Sequence, residues 1–327
     1  MKIAIRADGG SETGYGHIIR TGTLAEESLQ HGDDVFYFTR TPEVVQEELP
    51  SEITTVKLDR QDEVEETIQH IEDYSIDVLF TDSFTVDTGY QEHLSKTDVT
   101  LAVRHNFEHY TVCCDVLVYG DLHAPELEYE WIGSKPGFCL GPDYILIRDQ
   151  FQQAAQKKKV WRNNPERALI IMGGSDVNNE TPRIMQAFES FDGTVDVVIG
   201  PGFTNEGEIK RTAQTTKSDF NLLFTPENMA EIMHRADFAV SAVGGTVFEL
   251  LATRTPFIGI PQVDNQKQRA AALQRRDLGL IVDDVDSLSK HIELLSSSER
   301  RRELYDNMDN VVDGKGAERV YQRLQEL

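Results

Sequence analysis

The chain has 327 residues, 39% hydrophobic and 27% charged, which is enough apolar side chain for a sizeable core and too much for a disordered chain; at roughly 150 residues per domain this length predicts about two domains. Lys and Arg total 32 against 56 Asp and Glu, a formal charge of −24, so there is no basic face for DNA or RNA and little to draw the chain onto an anionic membrane. No stretch is long and apolar enough to span a bilayer, and the apolar run from Met1 to Arg6 is too short for a secretory signal.

Short apolar runs alternate with helical patterns along the whole length. Ile3, Ala4 and Ile5 read as a strand running into a Gly-rich turn. A helix is expected from near Gly16 to near His31 and Gly32, with Ile18, Gly22, Ala25 and Leu29 on one face. Val35 to Phe38 reads as the next strand and Val64 to Tyr74 as a helix. Further strands are expected at Asp77 to Thr81, Val99 to Val103 and Val116 to Tyr119. The rhythm pauses between Arg148 and Pro165, a stretch with Lys157, Lys158, Lys159, Asn163 and Asn164 that reads as a domain junction. It restarts at Ala168 to Met172 and continues through Val195 to Ile199, Asn221 to Phe224, Asp237 to Val240 and Pro256 to Ile260. This βαβα alternation implies an α/β chain of two similar halves, each a mostly parallel sheet covered by helices on both faces.

Four strand-to-helix turns carry the candidate chemistry. In open parallel sheets, ligands bind at the carboxyl ends of strands. The first loop, Arg6 to His17, contains Asp8 and Gly9, Gly10, Gly14 and Gly16; it matches neither the dinucleotide fingerprint nor the Walker pattern. His17 falls in the first helical turn, where unpaired N–H groups and the helix dipole disfavour an imidazolium, so a neutral ring there can accept a proton near pH 7. Arg20, one turn on, is placed to meet an anion. A His17 that only caps or packs the helix is the competing reading. The second turn is Gly173, Gly174, Ser175 and Asp176, which offers backbone N–H groups to a phosphate or is simply a tight turn. The third, Gly244, Gly245 and Thr246, opens a helix whose N-terminus suits a pyrophosphate without formal positive charge. Glu249 there is either a ribose-hydroxyl acceptor or a capping-box partner of Thr246. The fourth carries Asn265 and Gln266, amides suited to sugar hydroxyls or acetamido groups, against a plain helix cap at Asp264 or Asn265.

The three cysteines, Cys113, Cys114 and Cys139, cannot form a disulfide framework and lack zinc-site spacing. They fit a reducing cytoplasm. The acidity is spread over the chain, as at Glu43 to Glu48 and Asp62 to Glu66, and Arg outnumbers Lys. Such a surface stays hydrated at high ionic strength, which is consistent with a halophilic source.

Taken in order, these segments resemble one family. They are Arg6 to Gly9 with Gly14 to His17 and Arg20; Gly141 to Phe151, which includes Tyr144 and Arg148; Met172 to Asp176; Gly244 to Thr246 with Glu249; Asn265 and Gln266; and Asp313 to Val320. The set spans nearly the whole chain and is similar to the nucleotide-sugar hydrolases of pseudaminic acid biosynthesis (PseG type) and the related spore-coat polysaccharide proteins (SpsG type). The resemblance implies a glycosyltransferase-B-like fold of two Rossmann-like domains whose parallel sheets face a central cleft. Its parts would be residues 1–150 with the water-activating site, 165–310 with the nucleotide, and 311–327 as a last helix returning to the first domain. It implies cleavage between the anomeric carbon and the UDP oxygen by water, without cofactor or metal. His17 would be the general base, and Asp8 would orient it or the sugar. Gly14, Gly16, Arg20, Tyr144, Arg148, Gly173, Gly174, Ser175, Gly244, Gly245, Thr246, Glu249, Asn265 and Gln266 would bind substrate. Two departures fall on the sugar side. The family's Asp-x-Tyr, whose tyrosine touches substrate, reads here Asp82, Ser83, Phe84, and an acidic pair after the next strand reads Arg104, His105, Asn106. Phe84 cannot donate a hydrogen bond. His105 is expected as an ordinary surface histidine, or as a replacement polar contact.

The partner expected is therefore a small UDP-linked acetamido deoxy sugar. A glycosyltransferase with a soluble acceptor and a non-catalytic nucleotide-sugar-binding protein are the alternatives, and a parallel α/β fold by itself fixes no ligand.

Overall fold

The computed structural model describes residues 1–10, 14–59, 63–105 and 111–327. Two compact units emerge: Met1–Arg148 together with Lys315–Leu327, and Asp149–Gly314.

The first unit holds a seven-stranded sheet of β1 (Lys2–Ala7), β2 (Asp34–Thr39), β3 (Thr54–Lys57), β4 (Val78–Asp82), β5 (Thr100–Arg104), β6 (Val116–Tyr119) and β7 (Gly137–Leu140), in the order β3-β2-β1-β4-β5-β6-β7. Every pair is parallel. Successive side chains of a strand point to opposite faces, so one core layer takes Ile3, Ile5, Val78 and Phe80 and the other takes Ala4 and Leu79. Both layers are covered, which is why these strands read as apolar runs rather than alternating ones. The helix Gly16–Gln30 supplies Ile18, Leu24 and Ala25 to the first layer. The helix Gly316–Gln325 adds Ala317, Val320, Tyr321 and Leu324 to it, a stripe at helical spacing. Tyr321 also donates to Asp33 Oδ2 at 2.7 Å and stacks on His31.

The second unit holds β8 (Arg167–Ile171), β9 (Thr194–Ile199), β10 (Asp219–Phe224), β11 (Phe238–Ala242), β12 (Phe257–Ile260) and β13 (Leu280–Ile281), all parallel, in the order β10-β9-β8-β11-β12-β13. In each sheet the order reverses beside the first strand, between β1 and β4 and between β8 and β11. At such a reversal the crossovers run away from each other and leave a crevice at the strand ends. β1 leads through its loop to His17 in the next helix, β4 ends on Asp82, and the loops after β8 and β11 carry Gly173 and Gly244.

The junction lies earlier than the sequence suggests. Residues 149–165 belong to the second unit, and a helix, Asp149–Ala155, opens it with Phe151 and Ala154 buried. Side chains fasten this stretch. Gln150 Oε1 accepts from the Ala230 N–H at 2.9 Å, Lys159 Nζ donates to the His234 carbonyl at 2.9 Å, and the buried Arg301 donates to the carbonyls of Arg162 and Asn163. Among the described residues, no helix is long and apolar enough to cross a membrane.

Candidate functional site

The first unit gathers a dense charge network at the carboxyl ends of β1, β2, β4 and β5. Ser11, Glu12 and Thr13 of the Gly-rich loop lie outside the described residues; Gly10 and Gly14 on either side are joined by two backbone hydrogen bonds. Asp8 accepts from Arg6 Nη2 at 2.6 Å, the Arg40 N–H at 2.7 Å and the Thr39 hydroxyl at 3.1 Å. Burial alone would raise its carboxyl, but Arg6 and these donors hold it below its ordinary value. The fully buried Arg6 also donates to Glu63 Oε1 at 2.8 Å, and Arg40 pairs with the same carboxylate. Asp8, expected to orient His17 or the sugar, thus braces the loop against β2 through Arg6, Thr39 and Arg40.

Asp82 orients it. Asp82 ends β4 directly beside Ala7 of β1, which brings it under the start of the helix Gly16–Gln30. His17 Nδ1 lies 3.0 Å from Asp82 Oδ1 and 3.1 Å from the Asp82 carbonyl oxygen. Arg20 grips both carboxylate oxygens, with Nη2 2.7 Å from Oδ1 and Nε on Oδ2, and Arg104 Nη1 stands 3.5 Å from Oδ1. Burial would push the Asp82 carboxyl up; Arg20, Arg104 and His17 reverse that and hold it well below the usual carboxylate range. Arg20 therefore engages both Asp82 and, at 2.6 Å, His17 Nδ1. Phe84, 58% exposed, sets its ring edge-on to His17 with centroids 4.9 Å apart.

Three other expectations meet different surroundings. His105 is buried, not a surface residue, with its ring edge-on to both Tyr119 and Tyr129. Its neighbour Asn106 lies outside the described residues. Tyr144 packs against the first core layer beside the helix Gly316–Gln325. The following Ile145 backbone passes so close to Gly120 and Gly316 that a Cβ at either position would collide with it. Arg148, half-buried, is the last residue of this unit before the crossing.

In the second unit, Gly173 adopts φ +76° and Gly174 packs its backbone against Gly200. Asp176, 1% exposed, accepts from the Glu180 and Thr181 N–H groups at 2.9 and 3.0 Å and from Asn205 Nδ2 at 2.8 Å. Ser175 lies in the same tight turn.

The turn after β11 differs. Gly245 is the N-cap of the helix Thr246–Ala252 and, having no side chain, supplies no cap of its own; Thr246 is the first helical residue rather than the cap. Nothing approaches within 4 Å of where a Cβ on Gly245 would sit, and Gly244 has only Gln266 Nε2 at 3.9 Å. A ligand can therefore reach this backbone, and a helix N-terminus favours negative charge. Glu249 lies half-buried in the first turn. Gln266 Oε1 accepts from the Gln262 N–H at 2.8 Å, while Gln262 Nε2 donates to Glu180 Oε2 and its carbonyl accepts from Asn178. The fourth turn is thereby tied to the second, with Asn265 exposed at its tip. Buried Arg269 donates to the Val243 carbonyl at 2.9 Å and fixes the Gly244 turn from behind.

Sequence reasoning missed Asp82, Arg104, Glu63 and Arg269. Asp82 had a readable signal, an acid at the end of an apolar run; the others become visible only in three dimensions. Among the described residues, no group of three His, Cys, Asp or Glu is arranged to hold a metal ion. A broad hollow of about 930 Å³ lies elsewhere in the first unit, lined by Asp77, Lys96, Asp98 and Leu324, and contains none of these site residues.

Residues 152–324, more than half of the chain, match the glycosyltransferase family 28 C-terminal domain. The spore coat polysaccharide biosynthesis protein SpsG of Bacillus subtilis is 25% identical over all of this chain and 98% of its own length. The UDP-2,4-diacetamido-2,4,6-trideoxy-beta-L-altropyranose hydrolase of Campylobacter jejuni is 25% identical over 84% of this chain and 97% of its own. An uncharacterised protein of Methanocaldococcus jannaschii is 28% identical over 82% of this chain, which spans only 57% of that longer protein. The MurG crystal structure from Acinetobacter baumannii superposes over 100% of both chains with a TM-score of 0.70 at 12% identity, a likeness of fold alone. With its two parallel-sheet units, the chain belongs to the glycosyltransferase family 28 C-terminal domain family, in the PseG/SpsG-type group with the glycosyltransferase-B fold.

Proposed function

We propose that the protein is a nucleotide-sugar hydrolase that releases UDP from a UDP-linked acetamido or diacetamido deoxy sugar, in nonulosonic acid or surface polysaccharide biosynthesis. The observation that carries this reading is the His17–Asp82 contact at the sheet reversal of the first unit. The relative named as a hydrolase of such a sugar, covered almost end to end, supports it. In this mechanism His17 Nδ1–H is held by Asp82 and the bare Nε2 takes a proton from water. The water oxygen bonds to the anomeric carbon as the bond from that carbon to the diphosphate oxygen breaks, and the electron pair leaves with UDP. The helix start at Gly245 and Thr246 stabilises the charge that develops there. Glu249 is assigned to the ribose hydroxyls and Asn265 and Gln266 to the sugar. Asp8 keeps the loop in place.

A second reading, transfer of the sugar to a soluble acceptor, is favoured by the match to a glycosyltransferase domain. One assay separates the two. Purified protein is incubated with UDP-, CMP- and GDP-linked acetamido sugars without acceptor, and free nucleotide and sugar are measured. UDP release that falls about 10²–10⁴-fold in His17→Ala is expected for hydrolysis. Turnover that begins only when an acceptor is added identifies a transferase. Tight binding without turnover identifies a binding protein.

A further inference from the structure

His17 Nδ1 has neighbours with incompatible demands. Asp82 Oδ1 at 3.0 Å and the Asp82 carbonyl at 3.1 Å only accept, so they call for a proton on Nδ1. Arg20 Nη2 at 2.6 Å only donates, so it calls for a lone pair there. Nη2 carries two protons; one serves Asp82 Oδ1 at 2.7 Å, and the other faces the imidazole. The shortest contact is thus the one that places the ring proton on Nε2. A base acting on water needs the opposite tautomer.

We propose that Arg20 gates the base: without ligand it holds His17 in the Nε2–H tautomer, and an anionic oxygen of the substrate, phosphate or carboxylate, draws the guanidinium off Nδ1 and arms the ring. The gate rests on the assignment of His17 as the base. Its surroundings suit the exchange. Arg20 is the most exposed member of the cluster, with 24% of its side chain accessible against 15% for Arg104 and 1% for Asp82. When Arg20 leaves, Arg104 remains to balance the Asp82 carboxylate, which can then accept Nδ1–H. No proton is gained or lost overall: Nε2 gives one to solvent, solvent supplies one to Nδ1, and the ring stays neutral. Water near an empty site therefore meets an N–H and not a base.

Long-range proton–nitrogen correlation spectra of the full chain, labelled at histidine and assigned with His17→Gln, read this tautomer directly. The ligand-free protein should carry its His17 proton on Nε2. Arg20→Met should swing the ratio toward Nδ1–H by at least about tenfold, as expected for the loss of one charge-assisted hydrogen bond. Arg104→Met, which takes a cation from Asp82 without touching Nδ1, should leave the tautomer as it is. Unchanged signals from the remaining histidines report that each variant is folded. Inorganic pyrophosphate and UDP, set against glucuronate, tell a phosphate trigger from a carboxylate one. Nδ1–H in the ligand-free protein, an Arg20→Met spectrum like that of the wild type, or no swing with any of the three anions would overturn the gate. A normal swing without sugar release from any donor would instead remove the hydrolase reading and leave the gate standing.

Discussion

Asp82→Asn separates the charge of the central carboxylate from its shape. The side chain is 1% exposed, so the amide occupies the same space, but it turns an N–H donor toward Arg20 or His17 and leaves Arg20 and Arg104 without their counter-charge. Removing one partner of a buried ion pair costs about 3–5 kcal/mol. Arg20 and Arg104 keep 24% and 15% of their side chains in solvent and can rehydrate in part, which lowers the expected loss to about 2 kcal/mol. For a unit of this size that is a fall in melting temperature of about 4–8 °C by calorimetry. UDP release should fall further than stability does, by about 10³-fold, because the imidazole loses the acceptor that holds it in the working tautomer. The acid limb carries the same signature. The folded carboxyl sits well below its ordinary value, so its contribution is complete above the unfolded pKa of about 3.9 and is lost as pH falls toward the folded value. Asp82→Asn should erase that part of the acid unfolding profile. A variant that melts with the wild type and keeps turnover within about tenfold would show that Asp82 neither holds the cluster nor orients His17.

Gly245→Ala should leave the melting temperature unchanged, since nothing lies within 4 Å of the new methyl. It should weaken UDP binding by about tenfold in titration calorimetry, because the methyl stands where the diphosphate approaches the backbone. Lys159 tests the second unit: burial of its amine lowers its pKa to about 7, with Asp237 acting in the opposite sense. The unfolded chain then binds the extra proton between about pH 7 and 10.4, so stability from this residue rises with pH across that window. Lys159→Met should flatten that rise in melts at pH 7, 8 and 9. Finally, a chain of net charge −24 repels itself. Its melting temperature should climb between about 0.1 and 1 M potassium chloride, where the Debye length shortens from about 10 to 3 Å. A flat response would remove the case for adaptation to high salt.

The alternation of apolar runs and helices made the two sheets legible, because parallel strands buried on both faces cannot hide their composition. Short edge strands such as β3 and β13 were not legible; with four and two residues they leave too little pattern. His17 could be picked out because it follows a Gly-rich loop at a strand end, where parallel sheets bind ligands. That Asp82 is its partner could not be read, since the two lie 65 positions apart in sequence and the strand order that joins them is a property of the sheet. Asp8 was assigned to His17 or the sugar only through the family resemblance. The stretch from Asp149 to Pro165 looked like a linker because its polar residues are spent on hydrogen bonds to groups distant in sequence, which composition does not record. Within the second Gly turn the task of Asp176 was equally hidden: it accepts from the N–H groups of Glu180 and Thr181 at the start of the next helix.

The helix Gly316–Gln325 lends four side chains to a core laid down by the first 150 residues or so, with the whole second unit intervening. On the ribosome, the early portion must wait with one layer uncovered while the later portion, contiguous in sequence, can condense as it emerges. The half that is translated first is thus completed last, and cells that make this protein must shelter its oily flank from neighbours for most of the time that synthesis takes.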